Sequence, residues 1–235
     1  MDVLYFLKTR TAFIRQLHNV TTSPFMERKR KIENEEVPYV RSYFGDYTDD
    51  EPAFIDEWIE ADESVQILGY SCISMLAASL KLYFIEWQTQ LRVPIDKQIL
   101  NSVFKQQGWL SGYKAYFQQQ LGIPFENVPV NLEILEEVVI ARNSVQHPQS
   151  ITDIRTKYSE AAIKKLSSPF FLDESERDSL VDEDEALKSL IPPRTLHITA
   201  NKLSTAIDEV EKFAEWFEVE INNSISQSTR PESPP

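Results

Sequence analysis

Arginine, asparagine and histidine stand in the run Arg142-Asn143-Ser144-Val145-Gln146-His147, directly before Pro148. Asn143 and His147 are four positions apart, so on a helix they share a face. Arg142 continues the apolar stripe of Leu135, Val138 and Val139. A guanidinium at the end of such a stripe is costly unless an anion meets it. That anion is either an internal carboxylate, such as Glu136, or a phosphate on a ligand. His147 falls where the negative end of a helix dipole favours a cation. An arginine beside a titratable imidazole suits the cleavage of an RNA phosphodiester. The imidazole moves a proton between the 2′-hydroxyl and the leaving oxygen. The guanidinium stabilises charge on the phosphorane. That chemistry calls for no metal and no other cofactor. The plainer alternative pairs Arg142 with Glu136 or another carboxylate and leaves His147 to cap the helix.

The hexad needs a helix that ends on it. Asn131 is a good N-cap, and residues 132–147 continue from it with Leu132, Leu135, Val138 and Val139 turned inward. Pro148 disfavours helical geometry at His147 and stops the helix there. Upstream, Val3, Phe6, Leu7, Ala12, Phe13 and Leu17 predict a helix over 3–18. Residues 19–62 contain Pro24, Pro38 and Pro52 and predict an irregular wrap with at most short helices. The strongest helix is expected over 63–91, with Asp62, Glu63 and Ser64 as caps and negative first turn. Asp96 caps a helix to about Gln106, and Gly108 ends it. Trp109, Tyr113, Tyr116, Phe117 and Leu121 form a stripe on a helix that closes at Gly122, before a loop over 123–130. Residues 150–165 are expected to be helical. Pro169-Phe170-Phe171-Leu172 and the run 195–199 are expected to pair as short strands around an acidic excursion. A clear helix over 200–221 buries Leu203, Ala206, Ile207, Val210, Phe213, Ala214, Phe217 and Ile221. The fold class is therefore mainly α, a single domain over 1–222 with a small β-hairpin insertion before the last helix. A Ser/Pro-rich tail over 223–235 is expected to be disordered.

An R-N-x-x-x-H hexad closing a core helix resembles the signature of HEPN domains, an all-α family. The resemblance covers the hexad closely and the order of the helices loosely. It implies a HEPN-like helical bundle with its core at about 63–222, preceded by an N-terminal helix and wrap over 1–62. It also implies a metal-independent endoribonuclease of toxin-antitoxin, RNA-processing or antiviral defence systems. Two copies of the motif would face each other in a homodimer and form one composite cleft. Arg142 and His147 would be catalytic, and Asn143 would orient the histidine or the phosphate. Glu136 or Glu137 would hold the arginine. RNA is the implied partner, with a cognate antitoxin or another protein beside it. Non-catalytic scaffolds occur in the same family. They supply the alternative: a binding module whose acidic surface recruits a basic protein. An acidic mimic of nucleic acid is a third reading.

Composition sets the frame. Of 235 residues, 42% are hydrophobic and 26% charged, as in a globular chain. Five glycines leave little room for glycine-rich phosphate loops. The formal net charge is −13, with acids concentrated over 46–63 and 173–185. Such a surface does not bind nucleic acid as a whole. The run Arg28-Lys29-Arg30-Lys31 is expected to be a solvated face that leaves room for a small basic groove. Cys72, the lone cysteine, lies in an apolar run and is expected to be a buried small hydrophobe. His18 is expected at the surface or as a cap, and His197 on a strand face. With His147 they show no metal-ligand spacing. The start Met1-Asp2-Val3-Leu4-Tyr5 does not resemble a signal peptide, and no apolar run long enough for a membrane span is apparent. A cytoplasmic protein is expected.

Overall fold

The computed structural model describes residues 1–40, 53–148, 150–151, 154–173, 176 and 194–228, and most of these are helical. The helices are α1 (Val3–Glu33), α2 (Ile55–Leu91), α3 (Lys97–Ile99), α4 (Lys105–Gln107), α5 (Trp109–Leu121), α6 (Leu132–Gln146), α7 (Glu160–Ile163) and α8 (Ala200–Ser228). A π-helical turn, Leu100–Phe104, joins α3 to α4. The mainly α expectation holds.

Asp2 opens α1 by accepting from the Tyr5 backbone N–H at 2.8 Å. The helix does not stop at residue 18. It carries Pro24 internally and runs to Glu33. The two turns beyond Pro24 carry ion pairs, both within α1 and to α2. Arg28 meets Glu60 at 2.9 Å, Lys29 meets Asp62, and Glu27 meets Arg30 at 2.8 Å and Lys31 at 3.8 Å. All four basic residues are thus paired with carboxylates among the described residues. The partner helix α2 starts at Ile55, so the expected wrap over 19–62 is helical at both ends; its residues 41–52 lie outside the described part. Asp62, Glu63 and Ser64 are inside α2 rather than capping it. Asp56 and Glu57 supply the negative first turn instead.

α1 and α2 run antiparallel. Arg10 donates to Ser79 at 3.1 Å near one end, and Arg28 reaches Glu60 near the other. By length and composition α2 is apolar enough to cross a membrane, but 56% of its most apolar window is buried within this fold. Its Phe84 is the hub of the core. The ring stacks on Tyr113 at 5.4 Å and meets Phe213 at 5.6 Å and Phe217 at 5.4 Å. The aromatic stripe of α5 is therefore core, with Tyr116 and Phe117 fully buried. α5 approaches the π-helical turn so closely that a Cβ at Gly112 would lie 2.4 Å from the Phe104 ring. Every residue expected on the inner face of α8 is buried. The helix continues to Ser228, so residues 223–228 are helical, contrary to the expected tail; 229–235 lie outside the described residues.

The expected hairpin is reduced. No strand forms among the described residues, only isolated bridges, Lys157 to Thr195 and Leu172 to Leu196. The segment around Leu196 lies between two others. The Leu196 N–H donates to the Thr156 carbonyl at 2.8 Å, and the His197 N–H donates to the Phe171 carbonyl at 2.7 Å. The Tyr158 N–H donates to the Arg194 carbonyl at 2.9 Å. That pairing takes residues 156–158 out of the expected helix over 150–165; among the described residues of that range, Glu160–Ile163 alone is helical. The acidic run 173–185 lies almost wholly outside the described residues.

Candidate functional site

α6 is built as its residues require. The Asn131 side chain accepts from the Glu133 N–H at 3.0 Å. Leu135, Val138 and Ala141 are buried against α2 and α8, while Leu132 and Val139 are partly buried. His147 is the C-cap. Its N–H donates to the Asn143 carbonyl at 3.1 Å, and its φ of −126° and ψ of 66° leave the helical region ahead of Pro148.

At this end Arg142 is half-buried, and Asn143 and His147 are exposed. The guanidinium donates through Nη1 to Asn143 Oδ1 at 2.9 Å. No carboxylate among the described residues forms an ion pair with Arg142. The Asn143 side chain thus bonds to the arginine. The supporting carboxylates are placed elsewhere. Glu136 meets Lys114 on α5 at 3.3 Å. Glu137 is buried and accepts from the Tyr158 hydroxyl at 2.7 Å and from the Phe170 and Phe171 N–H groups at 2.6 and 2.8 Å. Neither holds Arg142. They stand six and five positions before it, off the three-to-four spacing that lets helical side chains meet. Burial pushes the Glu137 carboxyl above its usual range, against the pull of its three donors. Burial and the adjacent Glu137 push the Tyr158 hydroxyl well above its usual value, so it stays a donor.

A cleft of about 230 Å³ borders the hexad and is lined by Ser144, Val145, Pro148, Tyr70, Arg155 and Thr156, among others. Arg155 is already neutralised there by Asp62 and by Glu63 at 2.6 Å. Tyr70 donates to the Leu196 carbonyl at 2.8 Å. The sequence carried no sign of this wall, since its members meet only through the tertiary fold.

The other candidates separate. His18 is 2% exposed, because α1 continues past it; burial lowers its pKa. This corrects the surface role expected for it. His197 is half-buried, with Nε2 3.8 Å from Asp173. Cys72 is buried as expected, its thiol pushed up to about 11 by burial. Among the described residues no group of histidine, cysteine and carboxylate side chains is arranged to hold a metal ion. No protein-family model, curated protein or solved structure matches this chain.

Proposed function

We propose that the chain is a metal-independent endoribonuclease of HEPN type, a toxin or defence factor that works in the cytoplasm as a homodimer. The observation that carries this reading is that half-buried Arg142 and exposed His147 stand at one helix end, with no carboxylate among the described residues paired to the guanidinium. An arginine so placed is available to a phosphate. Asn143 holds it in place, and His147 supplies the titratable group for proton transfer. One such helix end offers a single imidazole, whereas the reaction needs both a base for the 2′-hydroxyl and an acid for the leaving oxygen. A second copy, with its own α6 end facing the first, completes the set.

The test is to incubate the purified protein with total RNA and with tRNA in EDTA, beside Arg142→Ala and His147→Ala. Cleavage by the wild type alone is expected. Cleavage that survives both substitutions, or none from a folded wild type, rejects the reading. The net charge of −13 and the complete pairing of Arg28, Lys29, Arg30 and Lys31 favour a second reading. In it the chain is a non-catalytic module whose acidic surface recruits a basic protein, an antitoxin or another nucleic-acid-binding partner.

A further inference from the structure

The first five turns of α1 are apolar on the side that faces solvent. Tyr5, Phe6, Phe13 and Val20 are 61%, 50%, 54% and 65% exposed. At about 100° per residue they fall on one arc of the helix, together with Ala12. The Tyr5 and Phe6 rings meet edge to face at 5.5 Å. The arc is also free of charge. Between Asp2 and Glu27 the formally charged residues are Lys8, Arg10 and Arg15. Lys8 is turned to Glu215 and Arg15 to Asp208, both on α8, and Arg10 donates to Ser79 on α2. Of the polar residues left on the arc, Thr9 donates its hydroxyl to the Tyr5 carbonyl at 2.9 Å. On the α8 side the arc borders a groove of about 570 Å³, with Ala12, Gln16, Asn19 and Val20 in its lining.

At these exposures the four side chains leave roughly 400 Å² open. With Thr9, Ala12, Gln16 and Asn19 beside them, the face approaches the ~800 Å² that each member of a stable pair covers. Its spacing fits a second copy of itself. Phe6 and Val20 each lie seven positions, about 10.5 Å, from Phe13. An identical helix laid antiparallel about a two-fold axis at Phe13 sets Phe13 on Phe13 and Phe6 on the second copy's Val20. Thr9 and Gln16 then fall nearly opposite each other, and Tyr5 reaches the second copy's groove beside Asn19 and Val20. A parallel pair would instead bring the Arg10 flank of one helix against the Lys8 and Arg15 flank of the other. Antiparallel helices also oppose their dipoles favourably. At a net charge of −13, two copies repel through much of their surface, and an uncharged arc is where they can approach. A basic protein would seek carboxylates, and an anionic membrane would repel the chain. The face holds no residue of the hexad, so this pairing goes beyond the ribonuclease reading and does not rest on it.

We infer that the chain pairs with a second copy of itself through the outer face of α1, antiparallel and centred on Phe13. The full chain is followed by sedimentation velocity from about 1 to 200 μM, beside Phe13→Glu, Phe6→Glu, Val20→Lys and the double variant Phe6→Glu/Val20→Lys. The wild type is expected to associate in that range. Each single substitution is expected to weaken the association at least about tenfold, because it places a charge in the contact. The double variant sets each new glutamate against a lysine of the other copy, and it is expected to associate at least about tenfold more tightly than Phe6→Glu or Val20→Lys alone. A parallel pair would set glutamate on glutamate and lysine on lysine, which makes the double variant the weakest of all. The substituted positions are exposed, and circular dichroism checks that every variant is folded. A wild type that stays monomeric at about 200 μM, the lack of any association step that Phe13→Glu weakens, or a double variant no tighter than its two single parents would overturn the inference. RNA cleavage and pairing through α1 are separate readouts, so either can fail alone.

Discussion

Replacing Glu137 by alanine removes the acceptor of two buried hydrogen bonds and one part-buried one at once: from the Tyr158 hydroxyl, from the Phe171 N–H and from the Phe170 N–H. A buried donor left without a partner costs about 1–3 kcal/mol. Three of them, taken near the low end because water can enter beside half-buried Phe170, give roughly 3 kcal/mol. The lost side-chain packing adds about 1 kcal/mol. Relief from burying the carboxylate takes some of that back. The expected net loss is about 3 kcal/mol, a large share of the ~5–15 kcal/mol typical of a folded domain. Urea denaturation followed by circular dichroism measures it. Glu137→Gln keeps the shape but turns an amide donor towards one of the three donors, so its loss should be smaller, about 1–3 kcal/mol. The two variants also differ from the wild type in pH response. Because the native state raises the Glu137 pKa above 4.5, it binds the proton more tightly than the unfolded chain. Wild-type stability therefore gains a contribution as pH falls through the raised pKa towards 4.5, and Glu137→Gln lacks it. A loss below about 1 kcal/mol for Glu137→Ala would show that the carboxylate does not anchor Tyr158 and the 170–171 segment to α6.

Arg142→Ala and His147→Ala alter side chains that have no carboxylate partner among the described residues. Each should change unfolding stability by about 0.5 kcal/mol or less in a thermal melt, so any loss of RNA cleavage would not be a folding defect. His18 behaves in the opposite sense to Glu137. Its lowered native pKa means that the unfolded chain takes up the proton more readily. Wild-type stability should fall as pH drops below 6.5 towards that lowered pKa, and His18→Gln should remove this part of the slope in urea midpoints measured against pH. Gly112→Ala would set a methyl group 2.4 Å from the Phe104 ring. The clash should outweigh the ~1 kcal/mol gain in helix propensity and leave a net loss of about 1–2 kcal/mol in a thermal melt. A stabilised variant would mean that the ring swings aside freely.

Local signals are legible where the chain states them locally. The Asn131 cap, the stop before Pro148, the glycine ends at Gly108 and Gly122 and the apolar face of α8 all appear at the expected places. What escapes a sequence reading depends on partners distant in the chain. Pro24 reads as a breaker until Arg28 and Lys29 find Glu60 and Asp62, 32 and 33 positions away. His18 reads as a surface residue only while α1 is expected to stop beside it. At the candidate site, the helix that carries the hexad is legible from its Asn131 cap and its stop before Pro148. The work of Glu137 is not, because its partners lie 21 to 34 positions downstream. The β-like runs do find each other, but they share too few residues to form strands.

The α1–α2 pair outlasts the core it belongs to. Thr22 is the last buried residue of α1, and Ala61 the first of α2. At 1.5 Å per residue, the rest of α1 projects about 16 Å as a stalk. Among the described residues its rungs include charge pairs and one cation over a ring. Such a stalk forms its own cooperative unit, which opens at a lower free energy than the aromatic centre and more easily as salt screens the rungs. Amide deuteration should therefore reach residues 25–33 well before residues 69–84. α6 packs on α2, and Ser144 and Val145 of the hexad share a cleft with Ile67, Tyr70 and Ser71, so the hexad should keep its geometry while the far end of the hairpin breathes.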